Sequence, residues 1–220
     1  MDKKIKAVLF DYDGVIADTM EDNYLAWKTV LKKRGIILSR DDYFPFEGIK
    51  LEEIIMIIEK KNNIFIENKK ELISEKDETF LRNNIPKLYP GVEEFISELK
   101  RKNIKLAIVS AGHFNRLSKS LSKDFMNNFS SIITGDKIKE GKPSPEPYLK
   151  AIQELNLKSD DCVVIENAPV GITSAKRAKV NRVIAITSTL KKELLYEADD
   201  IIDSFIDLKD LDIFKRILSY

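Results

Sequence analysis

The sequence predicts an α/β fold, a doubly wound parallel sheet with a small α-helical domain inserted after its first strand. Three observations predict it. Short apolar runs recur along the chain, helical patterns separate them, and one long interval after the first run contains helical patterns alone. With 220 residues, the chain is long enough to bury a hydrophobic core and to carry an insertion.

Six short apolar runs are predicted to form the sheet. Each is apolar at consecutive positions rather than at alternate ones, which is typical of strands covered by helices on both faces. The runs are Ala7–Phe10, Leu106–Val109, Ile132–Ile133, Val163–Ile165, Val183–Ile186 and the less pronounced Ile201–Ile202.

Helices are predicted between these runs and after the last one. Their apolar residues recur at the spacing of one helix face, and prolines introduce two of them. The predicted helices of the core are the segment marked by Val92, Phe95, Ile96 and Leu99, the segment Pro147–Leu155, and a closing amphipathic helix over Leu208–Leu218.

The interval between the first strand and Pro90 breaks the alternation. It spans about 75 residues, more than an ordinary connection needs, and it contains no convincing strand. Apolar residues recur in it at helical spacing. The three helical patterns are marked by Met20, Tyr24, Trp27 and Leu31, by Leu51, Ile54, Ile55 and Ile58, and by Leu72, Glu75, Lys76 and Phe80.

We therefore predict two domains. Residues 1–15 and 86–220 form the α/β core, and residues 16–85 form an inserted helical domain. Trp27 is interpreted as a packing residue of the insert rather than a substrate contact, because an aromatic residue at helical spacing is typical of a core.

Composition excludes several classes of protein. Hydrophobic residues are 43% and charged residues 33%, which is typical of a globular chain rather than a disordered one. Lys and Arg (37) nearly balance Asp and Glu (36), so no overall basic field favours nucleic acid as a partner. No segment approaches the roughly 20 apolar residues of a membrane span, and the N-terminus lacks the apolar stretch of a secretory signal.

The single cysteine, Cys162, excludes an internal disulfide and fits a reducing compartment. It begins an apolar run, so we expect a buried structural thiol rather than a reactive one. The expected location is the cytoplasm, without a membrane partner, and the default oligomeric state is a monomer.

Polar residues with chemical potential follow three of the predicted strands. In an open parallel sheet, ligands bind beyond the carboxyl ends of the strands. We therefore expect these residues to meet at one edge of the sheet. They are Asp11 and Asp13 after the first strand, Ser110, Ala111 and Gly112 after the second, and Glu166 and Asn167 after the fourth.

Each group has a functional and a structural interpretation. Asp11 and Asp13, two residues apart in an extended segment, point the same way and face one small substrate, or they belong to an Asp-Gly turn that ends the strand. Ser110 and the backbone N–H groups beside it form an anion site at a helix start, or an ordinary strand-to-helix turn.

The same two interpretations apply to the later residues. Lys142 lies in a Gly-Lys-Pro-Ser-Pro loop that fixes a point charge for a phosphate, or it is a solvated loop lysine. Glu166 and Asn167 offer the hard oxygen ligands that Mg²⁺ prefers, or Asn167 caps the next helix.

Together these motifs resemble those of the haloacid dehalogenase-like superfamily. The first motif is Asp-Tyr-Asp-Gly-Val-Ile at residues 11–16, followed by Asp18 and Thr19. Ser110 matches the second motif, Lys142 in Gly-Lys-Pro-Ser-Pro-Glu-Pro-Tyr the third, and Glu166-Asn167 with Gly171 the fourth. The resemblance covers nearly the whole chain and is strongest to the branch of β-phosphoglucomutase and small phosphosugar or phosphoglycolate phosphatases.

The resemblance implies a phosphatase that hydrolyses a small phosphorylated metabolite. Asp11 would attack phosphorus and form an aspartyl-phosphate, and Asp13 would serve as acid and then as base. Lys142, Ser110 and the backbone at Ala111 would bind the phosphoryl oxygens.

It also implies a cofactor and a cap. Mg²⁺ would be held by Asp11, the Asp13 backbone carbonyl and Glu166, with Asn167 ligating or orienting a ligand. The insert would close over the site as a cap. Lys76 matches a cap lysine that reaches toward the active site in this branch, and its alternative is a solvated charge on a Lys/Glu-rich helix.

Two positions depart from the pattern. Asn167 stands where this branch commonly has aspartate, so we expect weaker metal binding. Leu51 stands where the mutase pattern has an arginine for a second phosphate, and the neighbouring Lys50 is no equivalent of a bidentate arginine. The sequence therefore favours a hydrolase over a β-phosphoglucomutase-type mutase.

Three further alternatives stay open. Carbon–halogen cleavage would use the same nucleophile without Mg²⁺, and the presence of Asp13 and Glu166 argues against it. A phospho-acceptor signalling module would be shorter and would lack the cap. A binding or regulatory protein without turnover is supported only by the change at Asn167.

Overall fold

The computed structural model describes residues 5–83 and 87–218. Six strands form one sheet, in which all neighbours are parallel, and two form a short antiparallel pair. The strands are β1 Ala7–Phe10, β2 Ala17–Asp18, β3 Lys87–Leu88, β4 Lys105–Val109, β5 Ser131–Ile133, β6 Cys162–Glu166, β7 Arg182–Ile186 and β8 Asp200–Ile202. The predicted α/β class is confirmed.

The strand order of the sheet is β5-β4-β1-β6-β7-β8. The chain leaves β1 to one side through β4 and β5, and then returns to the other side of β1 through β6 to β8. The carboxyl ends of β4, β1 and β6 therefore lie next to each other where the direction of winding reverses, which is the usual place for a ligand site.

Ten α-helices occur in the described residues, and several carry the apolar spacing that predicted them. They are α1 Met20–Lys32, α2 Arg40–Tyr43, α3 Leu51–Asn62, α4 Lys69–Asn83, α5 Val92–Arg101, α6 Phe114–Ser120, α7 Lys123–Met126, α8 Glu146–Glu154, α9 Pro169–Arg177 and α10 Asp212–Leu218. No helix among the described residues is long and apolar enough to cross a bilayer.

Two sequence predictions need correction. The predicted closing helix over Leu208–Leu218 is instead a 3₁₀ helix, Phe205–Asp210, followed by α10, because Leu211 is extended between them. The interval before Pro90 was predicted to lack strands, but β2 and β3 pair across its two ends. Strands of two residues are too short to produce a recognisable pattern.

The sheet is buried on both faces. Val8 and Phe10 pack into the apolar cluster on one side, whereas Ala7 and Leu9 pack into the cluster on the other side. This alternation follows from the period of two in a strand. Cys162 belongs to the second cluster, is buried, and burial raises the pKa of its thiol to about 12, as expected for a structural thiol.

The helices between β2 and β3 have an apolar core of their own. α1, α3 and α4 contribute to one cluster that contains Trp27, which is fully buried. The prediction of Trp27 as a packing residue is confirmed. We call this helical unit the cap. The predicted domain boundary at residues 85 and 86 lies outside the described residues.

Phe10 provides a test of the core. It has no exposed surface and contacts the rings of Phe95, Phe129 and Phe205. We expect Phe10→Ala to lower the free energy of unfolding by about 3–5 kcal/mol, measured by urea denaturation, because a large cavity remains. The control is Phe65→Ala at a ring that is 80% exposed, where a loss above about 0.5 kcal/mol would contradict the assignment of the core.

Candidate active site

A buried ammonium group joins the ends of three strands. The Lys142 Nζ donates to Asp11 Oδ1 at 2.5 Å, to Glu166 Oε1 at 2.6 Å and to the Val109 carbonyl at 3.1 Å. Asp11 follows β1, Val109 ends β4 and Glu166 ends β6. The structure thus brings together residues that are up to 155 positions apart in the sequence, and Lys142 is not a solvated loop lysine.

The Glu166 carboxylate is saturated with hydrogen bonds. Its Oε1 also accepts from the Tyr148 hydroxyl at 2.6 Å, and its Oε2 accepts from the backbone N–H groups of Asn167 at 3.1 Å and Ala168 at 3.4 Å. A Cβ at Gly171 would lie 1.9 Å from Oε1, so only glycine lets α9 approach this closely. Glu166 is therefore fixed in place and holds the Lys142 ammonium.

Negative charge exceeds positive charge around Asp11. Burial, opposed by Lys142 and reinforced by Glu166, raises the pKa of Asp11 to about 8. Burial would lower the pKa of Lys142, but the two carboxylates outweigh it and raise that pKa. One ammonium balances only one of the two buried carboxylates, so ionising both leaves a net charge of −1, and a bound cation would favour the ionised form of Asp11.

Asp13 lies in a different electrostatic environment. Arg116 binds its carboxylate with two hydrogen bonds of 2.9 and 2.5 Å, and the Thr19 hydroxyl donates to it at 2.6 Å. Burial opposes ionisation, but Arg116 and Thr19 outweigh it and lower the pKa of Asp13 to about 2. Two neighbouring aspartates thus have pKa values on opposite sides of the ordinary one.

Lys76 reaches this network from the cap. It is fully buried, and its Nζ donates to Asn23 Oδ1 at 2.5 Å and to Asp77 at 3.3 Å. Asn23 in turn donates to Asp13 Oδ1 at 3.1 Å. Burial lowers the pKa of Lys76 to about 8. The alternative of a solvated charge is wrong, and Lys76 meets Asp13 through Asn23 rather than directly.

The turn after β4 brings Ser110 to Asp13. The Ser110 hydroxyl donates to Asp13 Oδ2 at 3.4 Å and accepts from the Gly112 N–H at 3.1 Å. Ala111 is half-buried in the same turn. His113 is the N-cap of α6 and is partly exposed, and its Nε2 lies 3.1 Å from the Glu52 carboxylate of the cap.

Asn167 packs against the first motif. A Cβ on Gly14 would lie 2.2 Å from Asn167 Nδ2, and Gly14 has a φ of 86°, which favours glycine for a second reason. The Nδ2 donates to Thr189 Oγ1 at 2.9 Å and to Glu47 Oε2 at 3.3 Å. The helix-cap interpretation of Asn167 is wrong, because Ala168 is the N-cap residue of α9.

One segment of the cap, residues 47–53, docks onto the core, and we call it the docking loop. The Lys50 Nζ donates to the carbonyls of Ile138 at 2.9 Å and Lys139 at 3.3 Å. Glu53 Oε1 accepts from the Gly141 N–H at 3.1 Å. Burial raises the pKa of Glu47 to about 7. The cap is therefore held against the loop that carries Lys142.

Sequence reasoning assigned no role to Arg116, Tyr148, Glu47 or Thr189. Tyr148 ends the third motif, so its position was a usable signal. Arg116 is 1% exposed in a short helix whose other basic residue, Lys119, is exposed, and nothing in the sequence distinguishes the two. Glu47 and Thr189 meet across 142 positions, a contact that only the tertiary fold creates.

The described residues contain no cluster of three His, Cys, Asp or Glu side chains arranged around a metal position. The available donors are of mixed kind: the Asp11 carboxylate, the backbone carbonyl at Asp13 and the amide of Asn167. All can present oxygen, the ligand that hard divalent cations prefer. Glu47 Oε1, which is buried beside Asn167 without a hydrogen-bond partner, adds a further oxygen of the same kind.

A family model and several curated proteins match most of this chain. The model of the haloacid dehalogenase-like hydrolase family matches residues 8–185. The chain belongs to the haloacid dehalogenase-like hydrolase family, as the motifs predicted. The predicted class of enzyme, a phosphoric monoester hydrolase, is also confirmed by relatives that carry phosphatase names.

Two curated relatives align over most of the chain. Beta-phosphoglucomutase of Bacillus subtilis is 30% identical over 88% of this chain and 95% of its own length. A phosphorylated carbohydrates phosphatase of Thermotoga maritima is 31% identical over 84% of this chain and 87% of its own length. Among solved structures, beta-phosphoglucomutase of Clostridium difficile superposes with a TM-score of 0.83 at 28% identity, covering 98% of this chain and 97% of that one.

Removing the shared ammonium should destabilise the fold in a pH-dependent way. We expect Lys142→Met to cost about 3–5 kcal/mol near neutral pH, because two buried carboxylates lose their partner. Burial already raises the pKa of Asp11 to about 8, and losing the ammonium raises that pKa further, so the loss is smaller at pH ~6 and larger at pH ~9. Urea denaturation at both pH values measures it.

The control for this variant is Lys139→Met, at an exposed position of the same loop. Adding Glu166→Gln to Lys142→Met should recover part of the loss, since one of the two unpaired charges disappears. A loss independent of pH, or equal in Lys139→Met, would contradict the charge balance described for this site.

Proposed function

We propose that this protein is a Mg²⁺-dependent phosphatase that hydrolyses a small phosphorylated metabolite through an aspartyl-phosphate. The observation that carries the proposal is the Asp11 carboxylate at the end of β1, 2.5 Å from the buried Lys142 ammonium. A carboxylate beside a fixed cation is suited to attack a phosphate that the same cation holds.

Asp11 acts as the nucleophile. Its Oδ1 is fixed by Lys142, which leaves Oδ2 for attack on phosphorus. Lys142 neutralises part of the charge that would otherwise repel a phosphate dianion. Ser110 and the backbone at Ala111, at the adjacent strand end, bind phosphoryl oxygens.

Asp13 serves as the acid–base group after its contact with Arg116 opens. A carboxyl group with a pKa of about 2 holds no proton at neutral pH, so it cannot protonate a leaving oxygen while Arg116 binds it. A substrate phosphate competes for the same guanidinium, which would free Asp13 and raise its pKa. Arg116 would then contribute charge to phosphate binding.

Mg²⁺ would be held by Asp11, the backbone carbonyl of Asp13 and Asn167. Glu166 was expected as a further ligand, but its carboxylate accepts hydrogen bonds from Lys142, Tyr148 and two backbone N–H groups, so it would fix Lys142 beside the cation instead. When bound, the cation polarises the phosphoryl group and offsets the charge of the nucleophile. The fit of these residues is supported by the oxygen donors that they offer and by the unpartnered oxygen of Glu47.

The docking loop favours hydrolysis over mutase chemistry. Lys50 is the residue of this loop that could bind a second phosphate, but its ammonium donates to two backbone carbonyls instead. Leu51, in the position of the mutase arginine, is buried and carries no charge. The similarity to beta-phosphoglucomutase makes mutase activity the second candidate. Phosphosugars and phosphoglycolate-like compounds are the substrate class that the named relatives support.

Hydrolysis of a generic aryl phosphate tests the nucleophile. We expect Mg²⁺-dependent release of phosphate that EDTA abolishes, and a fall of about 10³-fold or more in kcat/KM for Asp11→Asn. The control is Asp41→Asn, an exposed aspartate of α2. Equal activity of Asp11→Asn and wild type would exclude this mechanism, and EDTA-resistant release of halide from a chloroacid would favour carbon–halogen cleavage.

Product analysis separates phosphatase from mutase. With glucose 1-phosphate as the test substrate, we expect free glucose and phosphate, because nothing in the docking loop retains a bisphosphate intermediate. Enzymatic assay of both products measures it, and a screen of phosphorylated metabolites supplies further substrates. Accumulation of glucose 6-phosphate in place of glucose would favour the mutase.

A further inference from the structure

Glu47 is a buried cap residue that contacts Asn167 and Thr189 of the core. It begins the docking loop, is only 4% exposed, and its Oε2 accepts from Thr189 Oγ1 at 2.8 Å and from Asn167 Nδ2 at 3.3 Å. A Cβ on the next residue, Gly48, would lie 2.9 Å from Val170 Cγ2, so the loop backbone rests directly on the start of α9.

The other carboxylate oxygen of Glu47 has no partner. Oε1 is buried without a hydrogen bond, and no lysine or arginine forms an ion pair with Glu47 within residues 5–83 and 87–218. Leaving a buried carboxylate oxygen unsatisfied is costly, and such atoms are rare without a function or a bound ion. The nearby Lys50 is turned to backbone carbonyls instead.

At the same position, the core offers the proposed cation a neutral ligand rather than a carboxylate. Asn167 contributes an amide, which coordinates a hard cation without formal charge. Its Nδ2 faces the Glu47 carboxylate, so an acid from the cap lies beside the position where the core has none. The two residues are 120 positions apart and meet only because the cap docks.

We propose that Glu47 is a carboxylate of the Mg²⁺ site, supplied by the cap, and that its pairing with Asn167 replaces a single acid in the core. This inference rests on the proposed Mg²⁺-dependent function. By linkage, cation binding and docking of the cap then stabilise each other, since the charged ligand is available only when the docking loop is seated.

Calorimetric titration with Mg²⁺ alone tests the proposal without relying on turnover. Four proteins are compared: wild type, Glu47→Gln, Asn167→Asp and the double variant. The number of acids at the Glu47–Asn167 pair is one, zero, two and one. The dissociation constant should follow that number, with Glu47→Gln weaker than wild type by about tenfold, Asn167→Asp tighter, and the double variant within about threefold of wild type.

Glu67→Gln is the control, because Glu67 is an exposed carboxylate of the cap outside the docking loop. Its dissociation constant for Mg²⁺ should stay within about twofold of wild type. Circular dichroism and the melting temperature establish that each variant is folded. If Glu47→Gln alone does not fold, the effect of Glu47 is measured by comparing the dissociation constants for Mg²⁺ of Asn167→Asp and the double variant.

Two results would overturn the inference alone. Glu47→Gln binding Mg²⁺ as tightly as wild type would remove Glu47 from the site. A weakened Glu47→Gln that Asn167→Asp does not restore would show that Glu47 only packs the loop. Absence of Mg²⁺ binding by wild type at millimolar concentrations would instead overturn the proposed function as well, so the two failures are distinguishable.

Discussion

The buried ammonium of Lys142 is the contact on which the site depends. Its ammonium bridges the carboxylates of Asp11 and Glu166, and it also donates to the carbonyl that ends β4, so one group contacts the ends of β1, β4 and β6. The surrounding residues hold the partners of this ammonium in place. Tyr148 and two backbone N–H groups fix Glu166, and Gly171 leaves room for it. A charge buried this deeply is tolerated only because its partners are fixed in place.

The arrangement gives two neighbouring aspartates different chemistry. Asp11 shares one ammonium with a second carboxylate, so its environment lacks positive charge and raises its pKa. Asp13 accepts two hydrogen bonds from the Arg116 guanidinium, so its environment lowers its pKa. The same side chain thus lies either in an environment that favours its protonated form, as at Asp11, or in one that favours its ionised form, as at Asp13. Separation of pKa values between paired acids is a usual way to assign them different roles.

Local patterns predicted most of the fold, and long-range contacts explain what they missed. Each of the six predicted sheet strands lies within an observed strand, because buried parallel strands leave continuous apolar runs. The strand pair at Ala17–Asp18 and Lys87–Leu88 was not predicted, because two residues are too few to show an alternation of apolar and polar side chains. In the site, motif spacing located Asp11, Lys142 and Glu166. Arg116 went unnoticed because burial of a charged residue depends on partners distant in sequence.

The docking loop of the cap contacts several loops of the candidate site at once. Glu47 contacts Asn167 after β6, Glu52 contacts His113 after β4, and Glu53 binds the loop of Lys142. One segment of seven residues therefore meets three of the strand-end loops at once. Because packed interfaces tend to have discrete docked and undocked arrangements, we expect displacement of any one of these loops to weaken the other contacts of the docking loop as well. Seating of the docking loop is thereby tied to the positions of these three loops of the candidate site.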